Sequence, residues 1–102
     1  MAAKQTYTSG NWLVREGQEE TFAQRWQNFA EWSAKNVSGS GDFYLIQDKN
    51  DPRHFISFGS WESPEAVDAW RQLPEFKEFL GKCKELCEEF KAGDYRLRVS
   101  SK

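Results

Sequence analysis

At 102 residues the chain has the length of one domain, at about 100 to 200 residues per domain, with no room for a separate regulatory module. Fourteen Lys and Arg against sixteen Asp and Glu leave a net charge of −2, without the electropositive surplus that holds phosphate backbones, so general nucleic-acid binding is not expected. No apolar run is long enough to span a bilayer or to form the core of a signal peptide, and the expectation is a soluble, cytoplasmic protein without membrane contact.

Residues 1 to 5 read as a frayed start, leaving an ordered core of about 6 to 100. Thr6 to Val14, rich in Thr, Tyr, Trp and Val, reads as a first strand that Arg15-Glu16-Gly17 ends. From Gln18 to about Asn36, Phe22, Trp26, Phe29, Ala30 and Val37 recur at helical spacing over an arc of roughly 100°, with Trp32 outside it. Ser38-Gly39-Ser40-Gly41 ends this helix. Asp42 to Lys49 and Arg53 to Trp61 read as two strands joined by the turn residues Asn50-Asp51-Pro52, and should pair as a hairpin.

Ser63-Pro64-Glu65 is a helix start: a serine cap, proline at the first helical position and an acid in the first turn. Ala66, Val67, Ala69, Trp70 and Leu73 follow. Pro74 resets the helix, and Phe76, Phe79, Leu80, Cys83, Leu86, Cys87 and Phe90 form a second apolar stripe about 120° wide that Ala92-Gly93 closes. Tyr95, Leu97 and Val99 then alternate with Arg96, Arg98 and Ser100 as a last strand.

The order β-α-β-β-α-β implies an α+β, ferredoxin-like fold, a four-stranded antiparallel sheet with both helical regions on one face. In the central strands Phe43, Leu45, Phe55 and Trp61 occupy one face while Tyr44, Ile46, Ile56 and Phe58 occupy the other. A sheet with one wet face would alternate cleanly, so the second face needs a cover, and a second copy of the chain is the economical one. A homodimer through the sheet face is therefore expected. Sixteen aromatics against twelve Leu, Ile and Val make the interior ring-lined, which suits a flat aromatic ligand and equally suits a small core filled by its own rings. The two cysteines, Cys83 and Cys87, fall on one face of the same helical stripe, poor geometry for a disulfide, and are expected as reduced core residues. With His54 the only histidine, a structural metal site is not expected.

The element order, Gly59-Ser60-Trp61, Ser63 through Trp70, Pro74 and Phe76, together with the turn from Val14 to Gly17 and Phe22 behind it, resemble the antibiotic biosynthesis monooxygenase family over Thr6 to Val99. The resemblance implies a dimeric α+β barrel. It also implies oxidation of hydroquinones or polycyclic phenols by molecular oxygen without a cofactor, since some members of that family act so, whereas others degrade haem. The haem-degrading branch carries an asparagine on the first strand, a tryptophan on the second helix and an iron-ligating histidine beyond it. Trp70 matches that tryptophan, but Phe79 and Leu80 stand where the histidine should be, and Asn11 is displaced by one position, which turns a strand residue to the other face. Haem degradation is disfavoured.

For the oxygenase reading the catalytic candidates are Asn11, whose amide offers a donor and an acceptor to a carbonyl or phenolate, and His54, the one side chain that titrates near neutrality. Trp70, Trp61, Tyr44 and Tyr7 are candidates for the wall of a substrate pocket, and each could as well be plain packing. Arg71, beside Trp70, could meet an anionic substrate or be a solvated helix charge. Gly39-Ser40-Gly41 lacks the context of a nucleotide-binding loop, so no cofactor is expected and any oxygen chemistry draws its electrons from the substrate. Two alternatives use the same barrel: a non-catalytic module that binds a small aromatic metabolite, and a bare dimeric scaffold.

Overall fold

The structure, a computed structural model, describes residues 5–102. Its elements are β1 (Thr6–Val14), α1 (Glu19–Asn36), β2 (Ser40–Gln47), β3 (His54–Trp61), α2 (Pro64–Gln72), α3 (Pro74–Lys84) and β4 (Cys87–Arg96). The strands form one antiparallel sheet in the order β2-β3-β1-β4, and the helices pack on one face of it, which is the ferredoxin-like arrangement. Of the expected frayed start, residues 1 to 4 lie outside the described residues, while Gln5 accepts a bond from the Leu97 N–H.

Local chemistry sets the joints. Ser63 Oγ accepts from the Ala66 N–H at 3.2 Å, a cap typically worth about 1 kcal/mol, and Pro64 opens α2 behind it. Leu73 is extended, so the Pro74 start of α3 divides the second helical region as expected. In the β2–β3 hairpin, Asp48 Oδ1 accepts from the N–H groups of Asn50 and Asp51. The Asn50 N–H, and then His54, hold the Asp48 carboxyl below its ordinary pKa.

One boundary departs from expectation. α3 stops at Lys84, and Cys87 and Phe90 belong to β4, which ends at Arg96 rather than beginning near Tyr95. The physical reason is non-local. β1 has an open edge, and β4 fills it over its length, from Thr6 opposite Arg96 to Val14 opposite Cys87, with a register shift at Leu13/Val14. The Arg15 N–H bonds the Leu86 carbonyl at 2.9 Å, and Arg53 reaches Glu88 at 2.7 Å, pinning the start of the strand. Cys83 and Cys87 thus sit on different elements, buried and unpaired, with Cys87 Sγ donating to the Cys83 carbonyl. Burial pushes the thiol of Cys83 up to about 12 and that of Cys87 up to about 11.

The core lies between sheet and helices. Trp12 packs 4.1 Å from Phe90 and 5.0 Å from Phe22, and Trp61 packs 4.7 Å from Trp70, centroid to centroid. Trp32, outside the expected apolar arc, rests on Phe79 because α3 lies beside α1. On the opposite sheet face Tyr44 and Ile46 are each 52% exposed, Ile56 37% and Tyr95 61%. Both faces of the central strands are therefore apolar. Among the described residues no helix is long and apolar enough to cross a membrane.

Candidate functional site

Strand alternation turns Thr8, Gly10 and Trp12 of β1 and Phe55, Ser57 and Gly59 of β3 towards the helices. The register then sets Thr8 opposite Gly59 and Gly10 opposite Ser57, with Ala92 of β4 on the other side of Gly10. Five small residues thus meet at the centre of the sheet, flanked by rings. The result is a cavity of about 300 Å³ between sheet and helices. Its sides are Trp12, Phe43 and Phe90. Its roof is Trp26, Phe29, Ala30 and Ser33 of α1, Trp70 and Arg71 of α2, and Phe76 and Leu80 of α3.

The glycines are required where they stand. A Cβ on Gly10 would lie 2.7 Å from Trp12 Nε1 and 2.8 Å from Ser57 Oγ, and one on Gly59 would collide with the Phe43 ring. The rings therefore lie down against bare backbone, which holds them at the margin of the space. Trp70, 9% exposed, packs against Phe29, Phe43, Trp61 and Phe76 with centroids 4.6 to 6.3 Å apart. Such contacts fix a ring wall rigidly.

Three buried hydroxyls of the lining each accept a tryptophan N–H. Trp12 Nε1 donates to Ser57 Oγ at 3.0 Å, Trp70 Nε1 to Ser33 Oγ at 3.0 Å, and Trp61 Nε1 to Thr8 Oγ1 at 3.1 Å. Arg71 is the charged residue of the lining. Its guanidinium grips Asp94 of β4 through two bonds, at 2.6 and 3.0 Å, which hold the Asp94 carboxyl below its ordinary value and raise that of Arg71. The residues lining the cavity include no carboxylate and no imidazole.

Of the residues singled out from the sequence, Trp70 and Arg71 line the cavity. Trp61 is fully buried beside it, bracing Trp70 rather than facing the space. Asn11 and His54 are brought together, His54 Nε2 lying 2.8 Å from Asn11 Oδ1 and His54 Nδ1 3.5 Å from Asp48 Oδ2. They stand on the outer sheet face, because Asn11 alternates with the inward Gly10 and Trp12, as its one-position displacement implied. Neither reaches a ligand held in the cavity of its own chain. Tyr44 and Tyr7 also point outward, Tyr7 pairing across the sheet with Tyr95. Thr8, Ser33 and Ser57 were missed, although the sequence holds a signal: Thr8-Ser9-Gly10 and Ser57-Phe58-Gly59 repeat one hydroxyl-any-glycine pattern in two strands.

The model of the antibiotic biosynthesis monooxygenase family matches residues 10–82. The chain belongs to this family. Its structure is similar to that of SnoaB, a cofactor-independent oxygenase from Streptomyces nogalater, with a TM-score of 0.87 and 15% identity over 97% of this chain and 98% of that one. A protein from Nitrosomonas europaea assigned to antibiotic biosynthesis monooxygenases aligns with a TM-score of 0.81 and 16% identity over 94% and 92% of the two chains. A conserved protein from Methanosarcina mazei aligns at 0.82 and 17% over 92% and 93%. At these identities the likenesses establish a shared fold. No curated relative matches the chain.

Proposed function

We propose that this family member is a monooxygenase that holds an electron-rich aromatic, a hydroquinone or polycyclic phenol, in the ring-lined cavity and lets it react directly with molecular oxygen. The observation that carries this reading is the cavity itself: about 300 Å³ walled by aromatic faces, in the range of small-molecule sites. In the balanced step for a phenol, one oxygen atom joins the ring, the other leaves as water, and the substrate supplies all four electrons as it becomes a quinone. The chain contributes orientation by Trp70 and its neighbours, exclusion of bulk water, and donors for the developing oxyanion. With no carboxylate or imidazole in the lining, the substrate enters as its anion or loses its proton to water at the partly exposed Arg71 side.

In the same reading a second copy covers the outer sheet face. Tyr44, Ile46, Ile56 and Phe58 lie together on β2 and β3, and a two-fold axis sets this patch against itself. Sedimentation should give a two-chain mass at micromolar concentration, and a single-chain mass there removes the dimer. For the reaction, protein dialysed against chelator is given a panel of hydroquinones and polycyclic phenols while oxygen uptake and quinone absorbance are followed. Uptake above the buffer rate is expected. Binding without uptake would shift the reading to a non-catalytic module for an aromatic metabolite.

A further inference from the structure

Each of the three hydroxyls in the cavity already accepts a tryptophan N–H, and each is at least nine-tenths buried: Thr8 7% exposed, Ser33 1%, Ser57 7%. A buried indole N–H needs an acceptor, and a main-chain carbonyl would serve that need as well as a hydroxyl does. A hydroxyl brings in addition a proton of its own. None of the three O–H groups donates to any acceptor among the described residues. The arrangement recurs on three separate elements, β1, α1 and β3, and each hydroxyl residue lines the same space.

Accepting an N–H polarises an O–H bond and makes it a better donor, while a buried donor left without a partner is unfavourable until something supplies one. We infer that Ser33, Ser57 and Thr8 form a set of tryptophan-primed donors that position a ligand by its acceptor oxygens, so that the cavity selects flat aromatics bearing carbonyl or phenolate oxygen over bare hydrocarbons of the same shape. Ser33 approaches from the helices, and Ser57 and Thr8 from the sheet floor, so the donors meet a ligand on two sides. This rests on the proposal that the cavity is the ligand site and adds the residues that discriminate within it. They are positioning residues, since none is placed to take a proton from the substrate.

The test uses 1,4-naphthoquinone and naphthalene, two flat bicyclic probes that differ in their acceptor oxygens. The whole chain, labelled with nitrogen-15, is titrated with each while the indole N–H resonances of Trp12, Trp61 and Trp70 are followed. A neutral hydrogen bond changes binding by about two- to tenfold, so two engaged hydroxyls predict a quinone preference of at least about fourfold. Ser33→Ala with Ser57→Ala should lower that ratio at least about twofold, with Thr8 remaining as the third donor, and leave naphthalene affinity as it was. Because these changes strand two indole donors, the pairs Trp12→Phe with Ser57→Ala and Trp70→Phe with Ser33→Ala remove both partners together, and each should lower the ratio without exposing an unpaired group. Equal affinity for the two probes in the unaltered protein overturns the inference and leaves the cavity reading standing. A variant ratio equal to that of the unaltered protein also overturns it, and the serines are then only caps for tryptophan. If neither probe moves the indole resonances, the cavity reading and the inference fall together.

Discussion

Filling the cavity should separate the stability of this chain from its ligand binding. Ala30 stands on the buried side of α1 and lines the space, one residue after Phe29 and three before Ser33. Ala30→Leu adds three carbon atoms at the wall of a void of about 300 Å³, a volume ample for them. At about 0.8 kcal/mol per buried CH₂ the upper bound is roughly 2.4 kcal/mol, and a gain of about 1 to 2 kcal/mol is expected after side-chain ordering. For a domain of this size that is a rise in Tm of about 4 to 16 °C. Ala34→Leu, on the exposed side of the same helix, is the control and should stay within about 0.5 kcal/mol of the parent. The assay is thermal unfolding paired with titration of 1,4-naphthoquinone, whose affinity should fall at least tenfold in Ala30→Leu. A variant destabilised by about 1 to 3 kcal/mol would show overpacking, and hence no usable void. A stabilised variant that binds the probe as tightly as the parent would place the ligand elsewhere.

The Arg71–Asp94 pair has a depressed Asp94 pKa, so its stabilisation is present above the ordinary value of 3.8 and is lost as pH falls through the lower folded value. The pair is 30% and 60% exposed and is worth at most about 1 kcal/mol, so Asp94→Asn should cost up to that much at pH 7 and progressively less as the pH is lowered below 3.8, as read by denaturant unfolding. Cys83 and Cys87, raised to about 12 and about 11, should resist iodoacetamide at pH 8 in the native protein and both react in denaturant, as read by mass spectrometry. Because the unfolded thiols ionise first, stability should decline as pH rises above about 9; labelling of the native chain within minutes would contradict their burial. Asn11→Ala with His54→Ala should leave naphthoquinone affinity in the cavity unchanged, since both stand on the outer face. A tenfold loss would show that the two faces of the sheet communicate.

The parts of the fold legible in the sequence were those governed by local chemistry. Ser63-Pro64-Glu65 carries its own cap and φ constraint, and Asp48 through Pro52 its own turn bonds, so their places could be read within a few residues. The passage from α3 to β4 could not. Phe79, Cys83, Leu86, Cys87 and Phe90 satisfy a helical stripe, and only the unpaired edge of β1, some 75 residues earlier in the chain, requires that the second half of that stripe become a strand. The site divides in the same way. Trp70 could be found because bulk on a helix face is visible. The floor was hidden because Thr8, Gly10, Ser57 and Gly59 matter through what they lack, and lack of bulk makes a cavity only when register sets one small residue against another.

A void of this size bears on whether the interior is merely a ring-packed core. At about 24 cal/mol per Å³ a sealed, empty cavity of about 300 Å³ would cost on the order of 7 kcal/mol, against a total stability of about 5 to 15 kcal/mol for a typical domain. The space is partly open, which lets solvent enter and lessens that cost, but rings alone could have removed it: sixteen aromatics in 102 residues are ample material. Instead, the positions where strands β1 and β3 face the helices carry two glycines and two hydroxyl residues in crossed register, and the tryptophans that would collapse inward are held to those hydroxyls by their N–H groups. Each device keeps a large side chain out of the centre. Taken with the donors turned inward, the arrangement is more economically explained by a ligand that completes the core than by a core left incomplete.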